Sequence, residues 1–372
     1  METSINENAR EAHVSKYFSK AEEQFESLLQ LDELDREAEL RPPIVQDFER
    51  VLNFALDCAY AETVSADRIH LFLQRVLYRI NRLKLFWYDD LDSYKNERSE
   101  YLRSIRNRIE SAWEPWELSQ FEMPCSDAYV VTALRARAEA DVSPPISTDG
   151  KYFRDEVGVN GYRKLLEIAS LDGLVEASQL SRTLGGVGNE IHSMMTRLLV
   201  EEYGGGRLSR KHSSYFTVML EELGMKSQPE AYFDVVPWQV LAAINHSFLL
   251  SERKRSYLRY VGGLLYTEIS VPAAFDNYRL AAERLGMSSE ARGYWELHIR
   301  EDERHGRWML NDVALPLAAK YPNHASEIVL GYDQQKFMSE RAGKAVTLAA
   351  KAADSEQLVL PAPAPAAIGV AA

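Results

Sequence analysis

An all-α bundle is the fold class that this 372-residue sequence predicts. Apolar residues recur at spacings of three and four along most of the chain, which is the period of one helix face. Alternating strand-type runs are scarce, and Pro and Gly clusters fall between the periodic stretches. With 46% apolar residues the chain has ample material for a core.

The elements follow in order. Residues 7 to about 120 read as long helices, among them Ser15 to Leu34, Ile44 to Thr63 and Ala66 to Phe86, with Pro42-Pro43 as punctuation. Trp113-Glu114-Pro115-Trp116 and the stretch Ser143 to Gly150 read as connections. From Gly161 onward the helices carry an anomaly, because ionisable residues occupy positions that the apolar register assigns to the core. The stripe Leu166, Ala169, Gly173, Glu176, Leu180 has a carboxylate in its middle. Ile191, Met195, Leu198, Glu202 closes on another, just before the helix-stopping Gly204-Gly205-Gly206. His212 opens the next stripe with Phe216, Met219 and Leu223, and Tyr257, Val261, Leu264, Glu268 ends on an acid before Pro272, which is expected to end that helix. Last comes Ala291, Tyr294, His298, Asp302, His305, Met309, Val313, with two imidazoles and a carboxylate at i, i+4 and i+7 on one face.

Burying such groups unpaired costs several kcal/mol, roughly, so each needs a partner. For His298, Asp302 and His305 alone, a polar patch at a subunit or domain contact is an alternative to a metal. Seven such positions on several helices have a more specific reading. Three or four carboxylates offset two divalent charges and bridge the ions, and imidazoles complete the shells while leaving open positions. Two Glu-x-x-His pairs, the ferritin-like pattern, are absent.

The pattern Glu202-x9-His212, the later Glu268 and His298-x3-Asp302-x2-His305 resembles the haem-oxygenase-like diiron oxidases, as do Glu201-Glu202-Tyr203-Gly204-Gly205-Gly206 and Tyr294-Trp295-Glu296-Leu297-His298. The resemblance covers roughly Asp141 to Ala319 and is greatest to N-oxygenating members of the family. It implies a haem-oxygenase-like helical bundle holding two irons, with Glu176, Glu202, His212, Glu268, His298, Asp302 and His305 as ligands. Either Glu176 or Glu202 would be the additional carboxylate of the N-oxygenating members. It implies dioxygen as co-substrate, an external electron donor, and an amine or guanidine-type substrate such as an arginine-derived guanidine, an aminoimidazole or a lysine side chain. Desaturation or C–C cleavage of an amino or fatty acid by the same site is the rival enzymatic reading, and a metal- or haem-binding helical protein the non-enzymatic one. The implied organisation is a helical dimerisation domain over 1–125, giving a homodimer, the oxidase domain over 126–345 and a flexible Pro/Ala-rich tail over 346–372. In N-nitroso-forming relatives a cupin domain follows, for which the tail leaves no room, so that product is not expected.

Composition limits the remaining classes. A net charge of −13 disfavours nucleic acid, whose phosphates call for clustered Lys and Arg. Cys58 and Cys125 are too few for a disulfide framework and read as core thiols. No apolar run reaches 18 residues and the first residues lack a basic-then-apolar signal, so a cytoplasmic chain without membrane insertion is expected. Leu184-Gly185-Gly186-Val187-Gly188-Asn189 follows no strand, which leaves a helix-connecting loop in place of a dinucleotide fingerprint. His192 and His246 fall off the ligand faces and read as hydrogen-bonded structural residues, and the aromatic run Leu85-Phe86-Trp87-Tyr88 reads as an interhelical or dimer contact.

Overall fold

The computed structural model describes residues 2–60, 67–86, 91–121, 129–186 and 188–356, the first fourteen of these as backbone only. Among the described residues there is no strand, and the chain is all-α, as the periodicity predicts. The N-terminal helices are α1 (Glu2–Leu29), α2 (Leu34–Leu40), α3 (Pro43–Ala59), α4 (Asp67–Arg82), α5 (Glu100–Leu118) and α6 (Val130–Asp141). There follow α7 (Thr148–Lys151), α8 (Val159–Gly173), α9 (Ser178–Ser181), α10 (Glu190–Glu202), α11 (His212–Glu222) and α12 (Trp238–Glu252). The last four are α13 (Tyr257–Arg284), α14 (Ser289–Trp308), α15 (Leu315–Lys320) and α16 (Ser326–Glu356). No helix of the described residues is long and apolar enough to cross a membrane.

Two apolar clusters organise the molecule. One runs from Phe25, Phe48 and Phe72 of the N-terminal helices into Leu198, Val261, Leu265, Met309 and Ile328 without a break. The other gathers Tyr162, Leu166, Phe216, Phe248 and Trp295. The N-terminal helices are thus locked onto α12, and polar contacts reinforce the joint. Asn81 Nδ2 donates to Asn245 Oδ1 at 3.1 Å, and the buried His70 ring stacks on Trp238 at 4.6 Å and lies 4.9 Å from Trp116. At the centre, α13 crosses α16 backbone to backbone, because Gly262 and Gly331 each leave space that a Cβ would fill against the carbonyls of Ile328 and Arg259.

Several boundaries differ from the sequence expectations. Trp113 to Trp116 lies inside α5, with Pro115 in its last turn, so that the bond its missing N–H forfeits, to the carbonyl of Ser111, falls near the helix end. The last helix runs on to Glu356, because Val346 and Ala350 are buried and Asp354 accepts hydrogen bonds from the backbone N–H of Gly158 and Gly161 at 2.8 and 2.6 Å. The Pro/Ala-rich residues beyond it, Cys125, Val187 and the pair Trp87-Tyr88 lie outside the described residues.

Pro272 does not end its helix; α13 continues through it to Arg284. A proline cannot donate to the carbonyl four residues earlier, which here is that of Glu268. Gly306 of α14 packs against that oxygen, which would lie 3.1 Å from a Cβ at this position. The close approach brings α14 against α13 at the level where both carry ionisable side chains.

Candidate metal centre

All seven sequence-predicted residues come together in the seam between the two apolar clusters. Glu202, Glu268 and His305 continue helix faces whose neighbours Leu198, Leu265 and Met309 belong to the first cluster. His212, His298 and Glu176 adjoin Phe216, Trp295 and Val175 of the second. Glu202, His212, Glu268, His298, Asp302 and His305 are all less than one-tenth exposed. Glu176 corrects the expected helix: α8 stops at Gly173, whose missing Cβ admits the Phe216 ring, and the chain turns through Ala177 in the left-handed region at φ 61°. The carboxylate is therefore delivered from a turn and not from the middle of a helix.

Six of the seven donors form two groups, and Asp302 stands outside both, beside His305. Glu176, Glu202, His212 and His298 each offer an atom within 4.8 Å of the others, and Glu202, Glu268 and His305 do the same. Glu202 belongs to both. Its Oε2 lies 2.8 Å from His212 Nδ1 and its Oε1 lies 3.4 Å from His305 Nδ1. Around His305 Nδ1 stand Glu268 Oε2 at 3.3 Å and Asp302 Oδ1 at 3.6 Å as well. In the other group His298 Nε2 is 3.2 Å from His212 Nδ1 and 3.8 Å from Glu176 Oε2.

Two buried atoms in this constellation have no hydrogen-bond partner: His305 Nδ1, surrounded by three carboxylates, and Glu176 Oε1. An imidazole nitrogen and carboxylate oxygens that converge without hydrogen-bond geometry suit a cation placed between them. The charge balance agrees, since four carboxylates match two divalent ions. The residues present fit a pair of irons.

A surrounding shell sets tautomer and orientation. His298 Nδ1 donates to the Tyr294 carbonyl at 2.9 Å, which leaves Nε2 for the cluster. On the other side His305 Nε2 meets Glu201 Oε2 at 3.1 Å, and Glu201 is itself held by Arg304 at 2.5 Å. The Tyr294 hydroxyl donates to Glu176 Oε2 at 2.6 Å. Glu201 and Tyr294 in these supporting roles escape sequence reasoning, because neither is a misplaced polar residue.

Electrostatics shows the same demand for positive charge. Burial, joined by the neighbouring Glu202 charge, pushes the Glu176 carboxyl well up, and burial does the same to Asp302. Burial raises Glu268 too, against the pull of His305. Glu202 is also desolvated, yet its three imidazole neighbours outweigh this and hold it down. Burial would lower His305, but Asp302, Glu268 and Glu202 keep its pKa up at about 11, so a proton serves as counter-charge there. His298, desolvated and beside His212, falls to about 4 and stays neutral, as a ligand must.

A cavity of about 330 Å³ opens onto Glu176, Glu202, Glu268, His298 and Asp302. Phe275 lines it, its ring 5.4 Å from that of His298. His246 is also in its wall. The Gln334 amide is the polar neighbour of His246, with neither ring nitrogen at full hydrogen-bond geometry. His192 lies outside the cluster, its Nε2 likewise unpartnered.

Residues 163–335, which include all seven donors, match a family described as iron-containing redox enzyme. The chain is also 30% identical over 171 residues to the nitrosourea synthase of Streptomyces achromogenes subsp. streptozoticus, an overlap of 45% of this chain and 36% of that protein. The chain therefore spans little more than a third of the curated relative's length.

Proposed function

We propose that this chain, an oxidoreductase whose residues 163–335 belong to the iron-containing redox enzyme family, is a diiron N-oxygenase acting on a small amine or guanidine. The observation that carries the reading is the position of Glu202, one carboxylate oxygen in each of two donor groups. Such an arrangement suits two ions that share a bridging carboxylate. The nitrosourea synthase relative supports nitrogen as the atom attacked.

When bound, the two irons supply the electrons that activate dioxygen. Everything else falls to the protein. His212, His298 and Glu176 would hold one ion, Glu268, Asp302 and His305 the other, and Glu202 both. Glu201 fixes the His305 ring through Nε2 and the Tyr294 carbonyl fixes His298 through Nδ1, so each ring presents its free nitrogen without reorganisation. To hold a metal through Nδ1, His305 would have to give up the proton on that nitrogen. Phe275 and the buried faces of Trp295 and Tyr294 keep bulk water from the cluster. The cavity beside the cluster has room for one small substrate. An external donor would return the centre to its reduced state between turnovers. The assignment of residues 1–125 to a dimerisation domain, giving a homodimer, is supported by the family resemblance alone.

Anaerobic iron titration followed by oxygen exposure with labelled dioxygen tests the reading. Two irons per chain, a transient visible absorbance, and label on the nitrogen of an added amine or guanidine are expected. Saturation at one iron, or a desaturated or cleaved product without labelled nitrogen, would overturn it.

A further inference from the structure

The cavity beside the donor cluster extends past it, and its walls are unevenly charged. Where α8 ends, the exposed residue Asp172 lines the wall, and desolvation by the surrounding protein raises its carboxyl. The Gln179 amide steadies its charge, and among the described residues no Lys, Arg or His stands within ion-pair distance of it. A carboxylate in a cavity wall without a cation of its own can take one from a ligand. Neither donor group includes it.

A second part of the wall is polar but uncharged. His246 on α12 is 3% exposed and neither ring nitrogen is hydrogen-bonded. Burial, then the guanidinium of Arg259, lowers its pKa to about 3 against the upward pull of its contact with the Gln334 amide, so the ring is neutral with a cationic field behind it. The fully buried Gln334 stands behind the ring and is not part of the cavity lining, and among the described residues it has no polar partner beyond its contact with His246. Orphaned polar atoms in a cavity wall are groups that a ligand satisfies.

We infer that Asp172 and His246 are the substrate-selecting residues of this cavity: Asp172 receives a cationic ammonium or guanidinium, and His246 donates to an anionic or acceptor group at the ligand's other end. The inference rests on the oxygenase reading for the identity of the cavity as a substrate site. A cation held at Asp172 shares the cavity wall with Glu176 and Tyr294, which both sense that carboxylate. A neutral analogue forgoes the charge-assisted hydrogen bond to Asp172 and is disfavoured by its loss.

Calorimetry on iron-loaded, anaerobic protein with L-arginine, L-lysine, agmatine and L-citrulline tests this. At least one of the three cations should bind saturably, and the neutral citrulline roughly thirtyfold or more weakly. Asp172→Asn should abolish that preference with iron content and circular dichroism unchanged. His246→Gln should weaken the amino acids but not agmatine, which lacks the carboxylate. Absence of binding by all three cations, or wild-type preference in Asp172→Asn, would overturn the inference. Cation binding through Asp172 without oxygen consumption would support it while refuting the oxygenase reading. Oxygen consumption driven equally by arginine and citrulline would do the reverse.

Discussion

Tyr294 holds Glu176 by a 2.6 Å hydrogen bond from its hydroxyl to Oε2, and the same residue's carbonyl receives His298 Nδ1. One residue thereby orients two donors of one group from opposite directions. Tyr294→Phe should preserve the carbonyl contact and the Phe216 packing but free the Glu176 carboxylate. Iron affinity at that subsite is expected to fall about 10- to 100-fold while the other subsite fills normally. His298→Ala and His305→Ala, which remove a donor outright, should each lose one iron and abolish turnover, whereas His192→Gln should change neither. Stepwise iron titration distinguishes the cases, and a Tyr294→Phe isotherm that superimposes on wild type would show that the hydroxyl has no orienting role.

The α13–α16 crossing should be intolerant of any side chain. A methyl group at Gly262 would overlap the carbonyl oxygen of Ile328, and one at Gly331 would overlap that of Arg259. Backbone atoms cannot rotate away as a side chain can, so Gly262→Ala and Gly331→Ala should each cost about 3 kcal/mol. Gly343→Ala, with open space around it on the same helix, should be neutral or slightly stabilising. Denaturant midpoints measured side by side decide it, and equal midpoints for all three variants would mean that the helices separate freely.

The donors were legible in the sequence because a carboxylate or imidazole at an apolar register position stands out against its own helix. That signal does not depend on knowing how helices pack. It did not say where helices end: Leu166, Ala169, Gly173 and Leu180 keep the register across a break, so Glu176 read as part of a helix that in fact turns at Gly173. Pro272 misled in the opposite direction, because the carbonyl it leaves free is accommodated by an approach that only Gly306, on another helix, makes possible. Glu201 was hidden beside Glu202, since its use by His305 depends on the rotation of α14. Asp172 and His246 have no shared register, and only the walls of the cavity relate them.

Acid should destabilise the joint between the N-terminal helices and α12. Burial, with Arg341 nearby, lowers His70 to about 4 between Trp116 and Trp238. The unfolded chain takes up that proton near pH 6.5. Because the unfolded state binds more protons below 6.5, the stability held by neutral His70 is complete above that pH and is lost progressively down to about 4. Between pH 7 and 5.5 the loss is about 1 kcal/mol. His70→Phe keeps the stack and removes the titration, so the wild-type minus variant difference in urea midpoint should grow by that amount over this interval. A constant difference would show that His70 is protonated in the fold.

Metal removal should loosen the protein locally. With no cation, the carboxylates of Glu176, Glu202, Glu268 and Asp302 have the His305 proton and hydrogen bonds as their compensation in a seam where burial disfavours charge. Repulsion among them falls on α14, which supplies three of the seven donors and is tied to α10 through Glu201 and Arg304 at the exposed side. The α13–α16 crossing carries no such charge and should be indifferent to metal. Hydrogen exchange on the iron-loaded and chelated protein should therefore differ over His298 to His305 and coincide over Ile328 to Tyr332. Protection of His298 to His305 that is the same in both states would mean that the helix needs no metal to hold its donors in place, and the cost of gathering four acids would have to be met by the surrounding apolar packing.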